Sequence, residues 1–116
     1  MKRGEVWMAD LAPRSGSEQQ GRRPVVLISS DGFNLTPTWV SLIVVPVSSS
    51  IQQSRRSHTT VLLPAGAGGL KQDSSALCHQ ITTLDRRKFM DYLGELPAPL
   101  VTQIEEGIKA ALDFPL

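Results

Sequence analysis

Residues 24–29, PVVLIS, and 41–47, SLIVVPV, are apolar at nearly every step rather than at every second or every fourth. Both runs are too short for a buried helix, and their Val and Ile content favours extended chain. A strand that is apolar on both faces must be covered on both faces. The chain is therefore committed to a pair of central strands with material packed above and below them.

The other segments fit around that pair. GEVWMADL (4–11) alternates, with Val6, Met8 and less regularly Leu11 opposite Glu5, Trp7 and Ala9, as in a half-buried strand. TTVLL (59–63), SALCHQI (75–81) and KFMDYLGEL (88–96) complete five or six strands, and Pro46 predicts a bulge or an edge late in the 41–47 run. Loops fall at 15–21, at the Ser-rich 48–57, and at PAGAGGLKQDS (64–74), which reads as flexible. From Pro99 the period changes. Leu100, Ile104, Ile108 and Leu112 form one stripe flanked by Val101 and Ala111, Glu105 and Lys109 are spaced as an i,i+4 pair, and Pro115 ends the pattern. The expected fold is mainly β with a C-terminal α-helix, a small antiparallel sheet or half-open barrel closed by that helix, in one domain over residues 1–116.

Charge is distributed unevenly. Residues 1–90 hold 11 Lys and Arg against 6 Asp and Glu, whereas residues 91–116 hold 1 against 5. Eight of the twelve basic residues are arginine, and six of these form the pairs Arg22-Arg23, Arg55-Arg56 and Arg86-Arg87. Guanidinium groups grip phosphate oxygens in pairs and stack on bases, so three pairs near strand ends point to an anion-binding face. The single cysteine, Cys78, excludes an internal disulfide and a multi-cysteine zinc site and reads as a core thiol. His58 and His79 lie too far apart to propose a metal site, and no cofactor is implied. With no apolar run near membrane-spanning length and no leader pattern, the expected location is the cytoplasm, with no membrane partner.

The chemistry concentrates in GSEQQGRRPVVLIS (16–29). Glu18, Gln19, Gln20, Arg22 and Arg23 stand between two glycines and the root of a central strand, and Pro24 biases Arg23 toward an extended backbone. Such a loop on a stiff scaffold suits a phosphodiester. AGAGGL (65–70) lacks the Gly-Lys-Ser/Thr ending of a phosphate-cradling loop, and no serine sits in a nucleophile elbow.

KRGEVWMADLAP followed by GSEQQGRRPVVLIS resembles the N-terminal signature of the MazF/PemK (Kid) toxin family. LIVVPVSS (42–49), ALCHQITTLDRRKF (76–89) and the closing helix extend the resemblance over nearly the whole chain. It implies a CcdB-like barrel and a ribosome-independent, sequence-specific and metal-independent endoribonuclease. Cleavage of single-stranded RNA by 2′-OH attack would leave a 2′,3′-cyclic phosphate and a 5′-OH. It further implies a homodimer and a cognate antitoxin protein. Arg23 matches the arginine at the scissile phosphate, Ser48 the hydroxyl residue ending the third strand, and Glu18 the loop glutamate of the catalytic set. His79 stands where some relatives carry an aspartate and is a candidate general base, while Leu77 and Ser17 replace an arginine and a histidine of some relatives. Ser17, Gln19, Arg22, Gln80, Arg55 and Arg56 form the expected RNA-binding set, with Trp39 and Phe33 as stacking surfaces. Two alternatives remain open at the level of sequence: a CcdB-like gyrase-binding toxin, and a catalytically degenerate homologue that only binds antitoxin.

Overall fold

The computed structural model describes residues 1–50 and 58–115. Arg55 and Arg56 lie outside the described residues. Seven strands form one antiparallel sheet: β1 (Glu5–Asp10), β2 (Arg22–Leu27), β3 (Ser41–Ser48), β4 (Thr60–Leu63), β5 (Ser74–Leu77), β6 (Thr82–Asp85) and β7 (Phe89–Glu95). A one-turn helix α1 (Asp31–Asn34) follows β2, and α2 (Ala98–Ala111) closes the chain. The strand order is β4-β5-β3-β2-β1-β7, with β6 beside the first half of β3. Among the described residues the end strands β4 and β7 do not pair, so the sheet is not closed. No described helix is long and apolar enough to cross a membrane.

The two fully apolar runs are the centre, as their composition requires. Val26, Ile28, Val45 and Val47 enter a core capped by Ile104 of α2 and by Leu96, while Val25, Leu27, Leu42 and Val44 enter a second core with Leu11 and Leu84. Trp7 and Phe89 pack edge to face against that second core, with ring centroids 6.0 Å apart.

Pro46 meets one of the two expectations for it. It makes a local edge and no bulge against β2: β3 is paired with β2 through Pro46, but on its other side Val45 and Pro46 have no partner strand. The Ile28 N–H donates to the Ile43 carbonyl at 2.9 Å, so odd-numbered residues of β3 turn their backbone groups toward β2. Pro46 therefore turns its missing N–H toward the other edge. There β6 stops at the Val44–Thr82 pair and β5 begins at the Val47–Ala76 pair. The proline sits where one partner strand hands over to the next, which is where a missing donor costs least.

The same handover divides the expected strand 75–81. Extended chain stops at Leu77, and Cys78–Gln80 form a 3-10 turn before β6 resumes at Thr82. The expected flexible loop at 64–74 is also different in kind. Ala67–Gly69 form a 3-10 turn packed on β7, with Gly68 and Leu70 buried.

At the C-terminus, Pro99 does fall in the first turn of α2, but Pro115 does not end it. Asp113, at φ 59°, turns the chain into the left-handed region; its N–H donates to the Ala110 carbonyl at 3.2 Å and that of Phe114 to Lys109 at 2.8 Å. Glu105 binds Arg3 rather than Lys109, tying α2 to the N-terminus.

Candidate functional site

The loop 11–21 joins β1 to β2, and its position is fixed from two sides. Gln80, on the 3-10 turn opposite Pro46, accepts at Oε1 from the Gln19 N–H (2.9 Å) and donates from Nε2 to the Ser17 carbonyl (3.3 Å). On the other side the Arg23 Nε donates to the Gln20 carbonyl at 3.1 Å. One glutamine amide, spending both ends on loop backbone, thus sets where residues 17–19 stand. Gln80, one of the expected RNA-binding set, spends both ends of its amide on the loop backbone in this structure.

Ser17, Glu18, Gln19, His79 and Gln80 line one depression of about 330 Å³, and Arg14 joins them. Glu18 is exposed and accepts only weakly from Ser15, at 3.4 Å from its N–H and 3.3 Å from its hydroxyl. The Gln19 Oε1 is buried without a partner among the described residues. A buried acceptor without a donor is costly unless a ligand supplies one. His79 is exposed on the turn, not at the end of a core strand.

Arg23 lines a separate depression of about 410 Å³. It is exposed on β2, opposite Ala9, and its terminal nitrogens make no hydrogen bond among the described residues. Arg22, one step earlier and opposite Asp10, is likewise exposed. Ser48 ends β3 opposite Ser75, is 3% exposed, and accepts at Oγ from the Ser50 N–H (3.1 Å). An accepting Oγ keeps its own proton for donation. Ser48 lines a third depression, of about 370 Å³, that meets the Arg23 depression at Ser49 and Ser74. The structure thus gathers the loop residues with His79 and Gln80, and sets Arg23 and Ser48 in two adjoining hollows.

The third arginine pair is not an anion clamp. Arg86 fans its guanidinium over the carbonyls of Phe33 (3.1 Å), Asn34 (3.2 Å), Thr36 (3.0 Å) and Trp39 (2.9 Å). That fan holds the segment after α1, where Phe33 and Trp39 stack at 4.5 Å and are 39% and 46% exposed. Arg87 meets Asp85 at 3.0 Å, and its side-chain hydrogen bond holds the Asp85 carboxyl down to about 2. Both guanidinium groups are therefore engaged within the chain. Cys78, fully buried, has its thiol pushed up to about 11 by burial, as an unreactive core residue should.

Reading the sequence missed Arg14, Lys71, Gln72 and Asp91 as depression-lining residues. Arg14 lies in the loop already singled out. Lys71 and Gln72 follow a glycine segment whose lack of a phosphate motif drew attention away from its neighbours, and Asp91 carried no local signal.

Residues 2–112 match the family described as PemK-like, MazF-like toxin of type II toxin–antitoxin system. The endoribonuclease MazF9 of Mycobacterium tuberculosis is 36% identical over 117 residues, with 98% of each chain covered. The endoribonuclease EndoA of Bacillus subtilis is 35% identical over 113 residues, covering 97% of this chain and 94% of its own. Among solved structures, MazF from Deinococcus radiodurans shares the fold with a TM-score of 0.80 at 24% identity, over 98% of this chain and 97% of that one. A mycobacterial endoribonuclease in complex with its cognate antitoxin shares it at 0.79 and 22% identity, over 100% of this chain and 98% of that one. With residues 2–112 matched and relatives above 30% identical along almost the whole length, the chain belongs to the PemK-like, MazF-like family of toxins of type II toxin–antitoxin systems.

Proposed function

We propose that this chain is an endoribonuclease toxin that cuts single-stranded RNA at specific sequences without a metal ion, using the substrate's own 2′-hydroxyl as nucleophile. The observation that carries this reading is Arg23. Its guanidinium is fastened at Nε to the Gln20 carbonyl, exposed at its far end and mounted at the root of a central strand. It stands in a chain 36% identical to a mycobacterial endoribonuclease.

Attack by the 2′-oxygen forms a bond to the adjacent phosphorus and breaks the bond to the 5′-oxygen, leaving a 2′,3′-cyclic phosphate and a 5′-hydroxyl. The reaction needs a base for the 2′-proton, positive charge beside the phosphorane and a proton for the leaving oxygen. Arg23 supplies the charge and relays a proton to the leaving 5′-oxygen. Ser48 donates its hydroxyl proton toward a phosphate oxygen. Glu18 is the base, with His79, in the same depression, as the alternative. Ser17, Gln19 and Arg22 contact the strand, joined by Arg55 and Arg56, and Gln80 presents the loop. The RNA is single-stranded because in-line attack needs a backbone free to rotate, and bases are read when splayed out. The protein works in the cytoplasm as a homodimer, and an antitoxin protein covers the basic face. The mycobacterial neighbour in complex with its cognate antitoxin supports that partner.

Incubation with a long, weakly structured RNA in EDTA, followed by mapping of the ends, tests the reading. Discrete cuts with 5′-hydroxyl ends are expected, and Arg23→Ala should cut roughly 10²–10³-fold more slowly, the usual cost of losing one transition-state donor. Equal rates for variant and wild type would remove Arg23 from the mechanism.

A further inference from the structure

Among the described residues three buried side-chain oxygens have no hydrogen-bond partner: Gln19 Oε1, Thr60 Oγ1 and Ser75 Oγ. A buried hydroxyl that bonds to nothing destabilises the fold unless a rearrangement or a bound molecule supplies its partner. Ser75 is the most enclosed of the three residues, at 1% exposure, and it stands beside a residue of the proposed site. It is in register with Ser48 across β5 and β3, so the two side chains leave the same face of the sheet. Directly opposed residues hold their Cβ atoms about 4.5–5.5 Å apart, a span that two Cβ–Oγ bonds and one hydrogen bond cover. Arg23 opens on that face too. It is two residues before Val25, Ser48 is two residues after Pro46, and Val25 and Pro46 are in register. Ser48 and Ser75 also line the same depression of about 370 Å³. The row across the sheet therefore runs Arg23, Ser48, Ser75, with Ser48 in the middle.

We propose that Ser75 is a positioning residue for RNA cleavage, acting through Ser48; the inference rests on the ribonuclease reading. A serine oxygen carries two lone pairs and one proton. Ser48 Oγ accepts from the Ser50 N–H (3.1 Å), which leaves it one lone pair and its proton. When that proton turns to a phosphate oxygen of the RNA, the Ser75 hydroxyl turns about χ1 and donates to the remaining lone pair. The result is a relay of hydrogen bonds from Ser75 to Ser48 to phosphate, in which each bond strengthens the next. Ser48 is then held by donors from two directions, the Ser50 backbone and the neighbouring strand. Ser75 Oγ has no partner in the free chain, so no other bond must break first. Stability is given up in the free protein so that Ser48 is fixed once RNA is bound.

Thermal melting and single-turnover cleavage of a long, weakly structured RNA are measured for wild type, Ser75→Ala, Ser48→Ala, the double variant and Thr60→Val. Ser75→Ala should melt about 4 °C higher, because it removes a buried hydroxyl that bonds to nothing. It should nevertheless cut about ten-fold more slowly at saturating RNA, through loss of positioning. In the Ser48→Ala background it should slow cleavage no further, since nothing is left to position. Thr60→Val removes an unpaired hydroxyl from β4, which pairs with β5 and not with β3, and should melt higher while cutting at the wild-type rate. A Ser75→Ala protein that melts lower than wild type, cuts as fast, or loses the same factor again in the Ser48→Ala background overturns the inference and leaves the ribonuclease reading standing. So does Ser48→Ala cutting at the wild-type rate, or Thr60→Val slowed as much as Ser75→Ala. A wild-type protein that cuts no RNA overturns the ribonuclease reading and the inference with it.

Discussion

Two glycines in the 65–70 segment allow the packing of that loop to be weighed separately from its backbone conformation. Gly66 and Gly69 both have positive φ, 95° and 77°, so alanine strains the backbone at each. That strain is about 1–2 kcal/mol, offset by about 0.4–1 kcal/mol from the reduced freedom of the unfolded chain. Gly66 has nothing within 4 Å of a built Cβ, so Gly66→Ala should cost only the remainder, about 1 kcal/mol. At Gly69 the Cβ would meet the Leu93 oxygen at 2.0 Å, a backbone atom that no rotamer change can move. The loop must then lift from β7, carrying Leu70 and Gly68 off the core. Overpacking of this kind adds about 1–3 kcal/mol, so Gly69→Ala should lose about 3 kcal/mol in all. For a chain of this length each kcal/mol is worth about 4 °C in the melting temperature, so the two variants should melt about 8 °C apart. Urea unfolding followed by circular dichroism gives the same comparison at fixed temperature. Equal destabilisation would refute the docked loop.

Three further outcomes are expected. Gln80→Ala leaves the Gln19 N–H and Ser17 carbonyl without their partner, so RNA cleavage should fall about ten-fold through loss of positioning; an unchanged rate would show that the loop needs no such anchor. Asp113→Gly relieves a left-handed residue after α2 and should raise the melting temperature by about 4 °C, the equivalent of about 1 kcal/mol; a lower melting temperature would contradict the helix stop. For Cys78 the folded chain holds the thiol proton more tightly than the unfolded chain, so its contribution to stability is whole below pH 9.0 and is lost as pH rises toward about 11. Thiolate absorbance of the native protein should therefore appear with a midpoint near 11, and a midpoint at or below 9.0 would mean that the thiol is not buried.

The strands were legible where each residue's own character settled its environment. Val25 to Ile28 and Leu42 to Val45 could be nothing but a doubly covered centre, and both were found there. The Arg23-Pro24 step announced an exposed guanidinium at a strand root for the same local reason. The split of 75–81 was not legible, since SALCHQI is as good a strand as any. It breaks because Pro46, thirty residues earlier, withholds a donor on the edge that this segment would have joined. Arg86 and Arg87 were indistinguishable from Arg22 and Arg23 as letters. Only the carbonyls converging from residues 33–39 turn Arg86 inward.

The sequence by itself determined the mainly β class with a closing helix, the central strands, and the loop that carries the candidate chemistry, because burial on both faces, helical period and backbone permissiveness are properties of short segments. The tertiary structure alone decided which charges are spent and which are available. Arg86, Arg87 and Glu105 are engaged within the chain, whereas Arg23, Lys71 and Asp91 stand exposed and form no ion pair among the described residues. Charge pairing depends on distances of a few ångströms between residues far apart along the chain, and those distances exist only once the sheet has folded.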